Sequence, residues 1–179
     1  MVGTARCAVR GMSLQRVNRD SRTPQRGVPT RKSLPHEIPL WLDSNKEDYL
    51  ITICCQKRDE NQLANPAVAL DLLETIKHRN RQQIWYAHLA VVMPDHVHLV
   101  LSFGRTDKRT QLIMSKWKEW TAKTLGIRWQ RDFFEHRLRN DENFREKADY
   151  VLANPVRAGL IGNERDWPYI FTPDTEFCR

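Results

Sequence analysis

Two apolar segments separated by only two residues constrain the fold of this chain more than any other feature of the sequence. Ile84–Met93 and His96–Phe103 are rich in aliphatic and β-branched residues, and Pro94-Asp95 is all that separates them. Parallel strands need a long crossover connection, whereas antiparallel strands can be joined by a two-residue link. The sequence therefore predicts a tight β-hairpin at these positions.

The rest of the chain contains further strand and helix patterns. Asn65-Pro66 favours a helix start, because Asn caps helices well and Pro fits the first helical position. Pro155 predicts a helix end near Asn154, because the residue before a proline disfavours helical geometry. The other predicted elements are a strand at Tyr49–Gln56, a helix at Lys108–Gly126, a short extended segment at Trp129–Arg139 and a helix beginning near Asp141. This order predicts an α+β fold, a ferredoxin-like antiparallel sheet packed with helices.

The length of 179 residues suits one domain, and the excess positive charge lies near its N-terminus. Residues 1–35 hold eight Lys or Arg and one acid, which leaves 21 of the 29 basic and 21 of the 22 acidic residues in 36–179. We predict a basic, disordered tail over 1–33, a folded domain over 34–172 and a C-terminal tail over 173–179. A transit peptide is an alternative reading of the Arg-rich leader. A start codon assigned too far upstream, with Met12 as a true start, would explain it equally well.

The cysteines and the hydropathy pattern indicate a cytoplasmic protein. The four cysteines (Cys7, Cys54, Cys55 and Cys178) contain no C-x-x-C pair, and on a strand Cys54 and Cys55 would point to opposite faces. We read them as reduced thiols and not as a zinc site or a disulfide framework. No run of 18 or more apolar residues occurs, so we expect no transmembrane helix.

The second strand of the hairpin begins with two histidines, His96 and His98. Side chains two apart on a strand share a face, so both imidazoles should project together, with Val97 and Leu99 on the other face. Imidazole is a common ligand for divalent ions, and two of them supply part of a metal site. The alternative is a half-buried strand with two hydrogen-bonded histidines. Two other H-x-H chemistries do not fit the downstream residues: a histidine-triad hydrolase needs His where Val100 stands, and a JAB-type metalloprotease needs Ser and Asp where Thr106 and Arg109 stand.

A second candidate for chemistry is the pair Tyr150 and Asn154. Residues four apart on a helix lie on one face, so the phenol and the amide can approach a common point. Taken alone, Tyr150 would more often be a packing residue, and Asn154-Pro155 an ordinary helix terminator.

Taken together, these motifs resemble the IS200-like HUH transposases, and more narrowly the branch associated with repetitive extragenic palindromes (REP). The resemblance covers about residues 34–170. Its main motifs are Met93-Pro-Asp-His-Val-His-Leu-Val100 and Tyr150-Val-Leu-Ala-Asn-Pro-Val-Arg-Ala-Gly-Leu160. Supporting ones are Leu34-Pro35-His36, Lys57-Arg58, Trp129-Gln130 and Phe133-Phe-Glu-His-Arg-Leu-Arg139.

The resemblance implies an HUH-type fold and metal-dependent cleavage and rejoining of single-stranded DNA beside hairpin (palindromic) elements. His96 and His98 would bind Mg²⁺ or Mn²⁺, Asn154 would take the place of a third ligand, and Tyr150 would form a 5′-phosphotyrosine intermediate. The chain departs from relatives at Asp95, where Asn is common. Relatives include monomers and homodimers. The alternatives are a domesticated hairpin-binding protein that does not cleave DNA, and a metal phosphodiesterase that uses water in place of Tyr150.

Candidate DNA-binding residues come from local clusters of basic residues. Lys116, Lys118 and Lys123 alternate with Trp117 and Trp120, which could combine phosphate contacts with base stacking. The alternative, which we favour, is an amphipathic helix whose Trp side lies in the core. The other candidates for phosphate contacts are Arg137, Arg139 and Arg157.

Overall fold

The computed structural model describes residues 47–103, 110–138 and 141–173. The elements are β1 (Glu47–Cys54), α1 (Pro66–Arg81), β2 (Tyr86–Val92), β3 (His96–Phe103), α2 (Thr110–Leu125), β4 (Phe134–Leu138), α3 (Asp141–Leu152), α4 (Asn154–Arg157), a short 3-10 turn at Glu164–Asp166 and β5 (Ile170–Phe171). The predicted tail over 1–33 and nearly all of the tail over 173–179 lie outside the described residues, so the predicted domain bounds stay predictions.

The strands form one five-stranded sheet in the order β4-β1-β3-β2-β5. Every neighbouring pair in this order is antiparallel. The α+β fold class with an antiparallel sheet is therefore confirmed. β3 lies at the middle of the sheet, with β1 on one side and β2 on the other.

The predicted hairpin joins β2 to β3. Val92 pairs with Val97, and the amide of Met93 donates to the carbonyl of His96 over 2.8 Å, so Pro94 and Asp95 form the turn. A register shift between Ala87 and Leu89 marks a bulge in β2. β3 has the predicted bounds, whereas β2 begins two residues later than predicted, at Tyr86.

The two faces of the sheet carry two separate apolar cores. On one face, Val97, Leu99 and Leu101 of β3 pack in a cluster with residues of α1 and α2. This larger core also holds the buried tryptophans Trp85, Trp117 and Trp129. On the other face, Val100 of β3 packs with Phe144, Ala148 and Val151 of α3. The period of two along β3 thus assigns each of its apolar side chains to one core or the other.

The ends of the helices follow local sequence signals, with one exception. The side-chain oxygen of Asn65 accepts from the amide of Val68 over 3.1 Å, which confirms the predicted cap of α1. α2 ends at Leu125, and Gly126 follows with a φ of 68°, a conformation that glycine adopts at little cost.

The exception is the predicted helix end near Asn154. α3 ends at Leu152, and Asn154 instead begins the short helix α4 with Pro155 in its first turn. A proline in the first turn removes no hydrogen bond from the helix, because the amides there have no acceptor within the helix. The amide of Arg157 then donates to Ala153 over 2.9 Å, so the chain resumes helical bonding.

Cys54 and Cys55 lie at the end of β1, and neither forms a disulfide. Cys55 is fully buried in the larger core, and burial raises the pKa of its thiol to about 12. This agrees with the prediction of a reduced thiol. Within the described ranges, the helices are too short or too polar to cross a membrane.

Candidate metal centre and nucleophile

The imidazoles of His96 and His98 meet at the beginning of β3. Their Nε2 atoms lie 3.1 Å apart, and the ring planes are inclined at 85°. Two ligand atoms about 2.1 Å from an octahedral ion and at right angles around it are separated by roughly 3.0 Å. The spacing of the two Nε2 atoms therefore fits a shared divalent ion.

Asp95 holds the opposite side of the His96 ring. Its Oδ1 accepts from Nδ1 of His96 over 2.6 Å, while Oδ2 accepts from the amide of Asp59 over 3.0 Å and from Nε of Arg58 over 2.8 Å. Asp59 has a positive φ of 64°, which Asp tolerates better than most residues, and this conformation directs its amide at the carboxylate. Because the carboxylate accepts the Nδ1 proton, the Nε2 lone pair of His96 faces His98.

His98 is held in a corresponding way by β1. Thr52 pairs with His98 across the sheet, and its hydroxyl lies 2.8 Å from Nδ1 of the ring. When the hydroxyl accepts the Nδ1 proton, both Nε2 lone pairs face the same point. Two lone pairs at this distance repel unless a cation or a proton lies between them. A metal ion would satisfy both.

Burial keeps both imidazoles neutral. It lowers the pKa of His98 to about 3, and the nearby His96 and Arg58 act in the same direction. Burial also lowers the pKa of His96, although the hydrogen bond to Asp95 opposes the shift. Neutral imidazole is the form that binds metal ions.

The remaining ligands would come from other groups. Among the described residues, no set of three or more His, Cys, Asp or Glu side chains could hold an ion. Asn154 offers an amide, and its Nδ2 atom is buried with no hydrogen-bond partner. The two ends of an amide are nearly indistinguishable by shape, so this buried atom marks a place where either Oδ1 or Nδ2 needs a partner. An ion or a phosphate oxygen would supply it.

Tyr150 lies on the same side of the sheet as the histidines. His98 and Val100 are two apart on β3 and share a face, and Val100 packs against α3, the helix that carries Tyr150. Ala148 and Val151 face the sheet, while Tyr150 is 46% exposed. α3 thus lies on the face of the sheet that carries the two imidazoles, and a role of Tyr150 beside them stays a prediction.

Arg157 and Asn154 both lie in α4, directly after the helix of Tyr150. The guanidinium of Arg157 stacks on the ring of Tyr150, 4.4 Å from its centroid. It places a positive charge beside the phenol, where a phosphate attacked by Tyr150 would lie. Tyr150 and Asn154 were predicted on one helix, but they belong to two consecutive helices.

The other basic candidates have different surroundings. Lys116 is exposed on α2, as a phosphate contact requires. Lys118 is buried, and its ammonium donates to the carbonyls of Gln130 and Arg131 over 2.9 and 2.8 Å. This contradicts a role in DNA binding, because both hydrogen bonds are made within the protein. Lys123 is exposed and forms an ion pair with Glu119.

Arg137 of β4 lies on the other face of the sheet. Arg137 pairs with Tyr49, whose side chain packs on the larger core, so Arg137 projects from the face opposite to the histidines. The register therefore does not support a contact of Arg137 with a phosphate at the candidate metal centre, and its role in DNA binding stays a prediction. Arg139 lies outside the described residues.

Three residues of the site were not identified by the sequence patterns. Asp95 was recognised only as a turn residue, and Arg58 only as part of a motif. Thr52 carries no signal at all, because its role depends on the register of β1 with β3. Alternation along a strand is visible in a sequence, whereas the partner across the sheet is not.

Comparisons with known proteins point to one family. The chain is 32% identical over 84 residues to the REP-associated tyrosine transposase of Escherichia coli strain K12, a match that covers 44% of this chain and 49% of the relative. It is 30% identical over 95 residues to a putative REP-associated tyrosine transposase of Haemophilus influenzae, which covers 44% of this chain and 53% of the relative. The chain thus matches about half the length of these curated relatives. No family model matches.

The fold gives the same result. A solved structure of a REP-associated tyrosine transposase bound to a REP hairpin superposes with a TM-score of 0.61 and 25% identity, over 69% of this chain and 75% of the other. The resemblance stated from the sequence motifs is therefore confirmed.

Proposed function

Since the chain is a relative of the REP-associated tyrosine transposases in sequence and in fold, we propose that it is a transposase-type enzyme that cuts and rejoins single-stranded DNA beside hairpins. In this proposal Tyr150 is the nucleophile, and His96, His98 and Asn154 bind a divalent ion. The relative in the solved complex is bound to a REP hairpin, and a hairpin-bearing strand is accordingly the substrate that we propose here.

One observation supports the proposal above the others. Two neutral imidazoles direct their Nε2 atoms to one point, on the face of the sheet that α3 and Tyr150 also occupy. Each ring is fixed from behind by a hydrogen-bond partner, Asp95 or Thr52. Such partners orient metal-binding histidines and raise their basicity. A pair of merely structural histidines does not require this convergence.

The residues of the chain divide the chemistry between them. A bound Mg²⁺ or Mn²⁺ would supply polarisation of a non-bridging phosphate oxygen. The Tyr150 hydroxyl attacks the phosphorus in line, a new O–P bond forms, the P–O3′ bond breaks, and the proton of the phenol is released to solvent. The products are a 5′-phosphotyrosine and a 3′-oxygen, which takes up a proton to become a hydroxyl. Attack by that hydroxyl, or by one from another strand, reverses the step and regenerates Tyr150 without an energy source.

Arg157 and Asn154 assist in positioning. Arg157 lies over the ring of Tyr150, so its guanidinium can bind a phosphate oxygen while the phenol attacks. Asn154 directs an unsatisfied amide atom into the protein beside the same helix end. Its partner in the complex would be the ion or the phosphate.

Covalent capture of DNA tests the proposal. The wild-type chain, incubated with Mn²⁺ and a single-stranded oligonucleotide that carries a hairpin from the DNA flanking its own gene, should give a band shifted upwards on a denaturing gel. Tyr150→Phe should abolish the band, because it removes the attacking oxygen alone, and EDTA should also abolish it. Tyr169→Phe is the matched control, since it removes a hydroxyl far along the chain from α3, and it should retain the band.

Each rival function gives a different result. Cleavage without an adduct indicates a phosphodiesterase that activates water, and binding without cleavage indicates a domesticated hairpin-binding protein. An adduct that persists in Tyr150→Phe would show that another residue is the nucleophile. His96→Ala should reduce adduct formation strongly at limiting metal, and unchanged activity would remove His96 from the site.

A further inference from the structure

Phe134 and His136 form an exposed aromatic pair on β4, the edge strand of the sheet. Their rings are nearly parallel, with an interplanar angle of 7° and centroids 6.4 Å apart. Phe134 is 59% exposed, the highest value among the exposed large hydrophobic residues of the described chain. His136 is exposed as well. The two exposed rings are available to a ligand outside the chain.

The register of the sheet places this pair beside the candidate metal centre. Phe134 pairs with Thr52, and Thr52 pairs with His98, whose ring nitrogen lies 2.8 Å from the Thr52 hydroxyl. Residues paired across strands point to the same face. Phe134, Thr52 and His98 therefore form one row on one face, and two strand spacings place Phe134 roughly 10 Å from His98. α3 covers the same face further along, where it packs on Leu50 and Leu138.

We propose that Phe134, supported by His136, is a stacking platform for an unpaired base of the DNA strand that enters the active site. The inference rests on the proposed function, because it takes single-stranded DNA as the ligand. The flat faces of bases stack on exposed aromatic rings without regard to sequence. A strand whose phosphate lies at His96 and His98 passes the edge of the sheet at β4, where the rings are open to solvent. Stacking there orients the nucleotide next to the scissile phosphate.

Such a platform explains two features of β4 together. The strand is at the sheet edge, where a large apolar side chain is normally avoided because it promotes aggregation. Its two aromatic side chains point to the catalytic face, whereas Glu135 and Arg137 project from the other face. A stacking site needs this division, with rings beside the metal centre and charges elsewhere.

The test is the affinity of the full chain for a single-stranded oligonucleotide labelled with 2-aminopurine near the cleavage site. This base is quenched when it stacks, and wild-type protein should quench it on binding. Phe134→Ala should weaken binding about 5- to 100-fold, as expected for loss of one base–aromatic contact, and should abolish the quenching. Phe134→Trp should restore both, since it offers a larger ring in the same place.

The salt dependence separates stacking from charge. Loss of a stacking contact lowers affinity equally at all salt concentrations, so the slope of log K against log salt should not change in Phe134→Ala. Leu70→Ala is the matched control: Leu70 is 56% exposed, but it lies on α1, which packs on the opposite face of the sheet. It should bind as wild type does.

The outcomes also distinguish this inference from the proposed function. If Phe134→Ala binds and quenches like wild type, the platform is wrong, even where the Tyr150-dependent adduct forms normally. If wild-type protein forms no adduct but Phe134→Ala still loses binding and quenching, the stacking inference is supported and the protein binds DNA without cleaving it. Equal losses in Phe134→Ala and Phe134→Trp would overturn the inference, because stacking requires only an aromatic ring.

Discussion

At the scale of single residues, Asp95 orients the His96 ring of the candidate metal centre. Asp95 is buried, and its carboxylate accepts hydrogen bonds from Arg58, the amide of Asp59 and Nδ1 of His96. The hydrogen bond to His96 helps to hold the pKa of this carboxyl below its usual range, although burial opposes the shift. The carboxylate is therefore charged at neutral pH and strengthens the electron donation of the His96 ring.

We expect Asp95→Ala to weaken Mn²⁺ binding about 10- to 100-fold, the usual cost of removing a group that orients a metal ligand. Asp95→Asn keeps an acceptor for Nδ1 but loses the charge, so its effect should be smaller. Isothermal titration with Mn²⁺ measures both. Glu60→Gln is the matched control, because Glu60 is an exposed carboxylate of the segment between β1 and α1 that forms an ion pair with Lys57. Equal Mn²⁺ affinity in Asp95→Ala and Glu60→Gln would refute the role of Asp95.

Whether the contact of a residue could be predicted from the sequence depends on how close its partner lies in the chain. The common face of His96 and His98 follows from alternation along one strand, and it was predicted. The bond of Asp95 to His96 joins sequence neighbours, yet it needs the turn conformation and the approach of Arg58, 37 positions earlier in the numbering. Thr52 reaches His98 only through strand pairing. These non-local partners could not be read from the chain.

At the scale of elements, Lys118 links α2 to the segment before β4. Its ammonium donates to two backbone carbonyls and lies 5.5 Å from the centroid of the Phe133 ring. Trp129, next to these carbonyls, is buried, and its indole N–H donates to Thr121 of α2 over 2.9 Å. The basic pattern of α2 therefore serves packing at Lys118 and presents charge to solvent at Lys116.

Lys118→Met should lower the free energy of unfolding by about 1–3 kcal/mol, because it removes two hydrogen bonds from a charged donor to backbone carbonyls. Lys116 lies two residues earlier on the exposed face of the same helix. Lys116→Met should therefore change the free energy of unfolding by less than about 0.5 kcal/mol. Urea unfolding monitored by tryptophan fluorescence measures both. For DNA binding we expect the opposite order of effects. The slope of log K against log salt should decrease in Lys116→Met and stay unchanged in Lys118→Met. A stable Lys118→Met with a reduced salt slope would restore Lys118 as a phosphate contact.

The elements themselves were mostly visible in the sequence, because their signals are local. The cap at Asn65, the hairpin turn and the end of α2 before Gly126 each depend on a few adjacent residues. The division between α3 and α4 was missed, since Pro155 can either stop a helix or begin one. β5 was missed as well: it has two residues, Ile170 and Phe171, and forms only by pairing with β2.

At the scale of the whole molecule, the excess positive charge and the described helices and strands lie in different parts of the sequence. The two-core sheet, the candidate metal centre and the proposed aromatic platform all belong to residues 36–179, whose basic and acidic counts are equal. The net charge of +7 comes from the first 35 residues. Specific contacts should therefore come from the folded part, and long-range attraction to DNA from the basic segment.

Removal of residues 1–33 tests this division. Each phosphate contact that is lost should flatten the slope of log K against log salt by about 0.7 for a single strand. The shortened chain should bind single-stranded DNA more weakly at low salt and approach the full chain at high salt. At saturating DNA, its Tyr150 adduct should form at an unchanged rate, because all of the proposed site residues remain in the shortened chain. A variant with the eight basic residues of this segment replaced by Gln keeps the length and removes the charge, and it should match the deletion. If the Gln variant instead retains the full salt slope, the charge of the N-terminal segment does not contribute to binding.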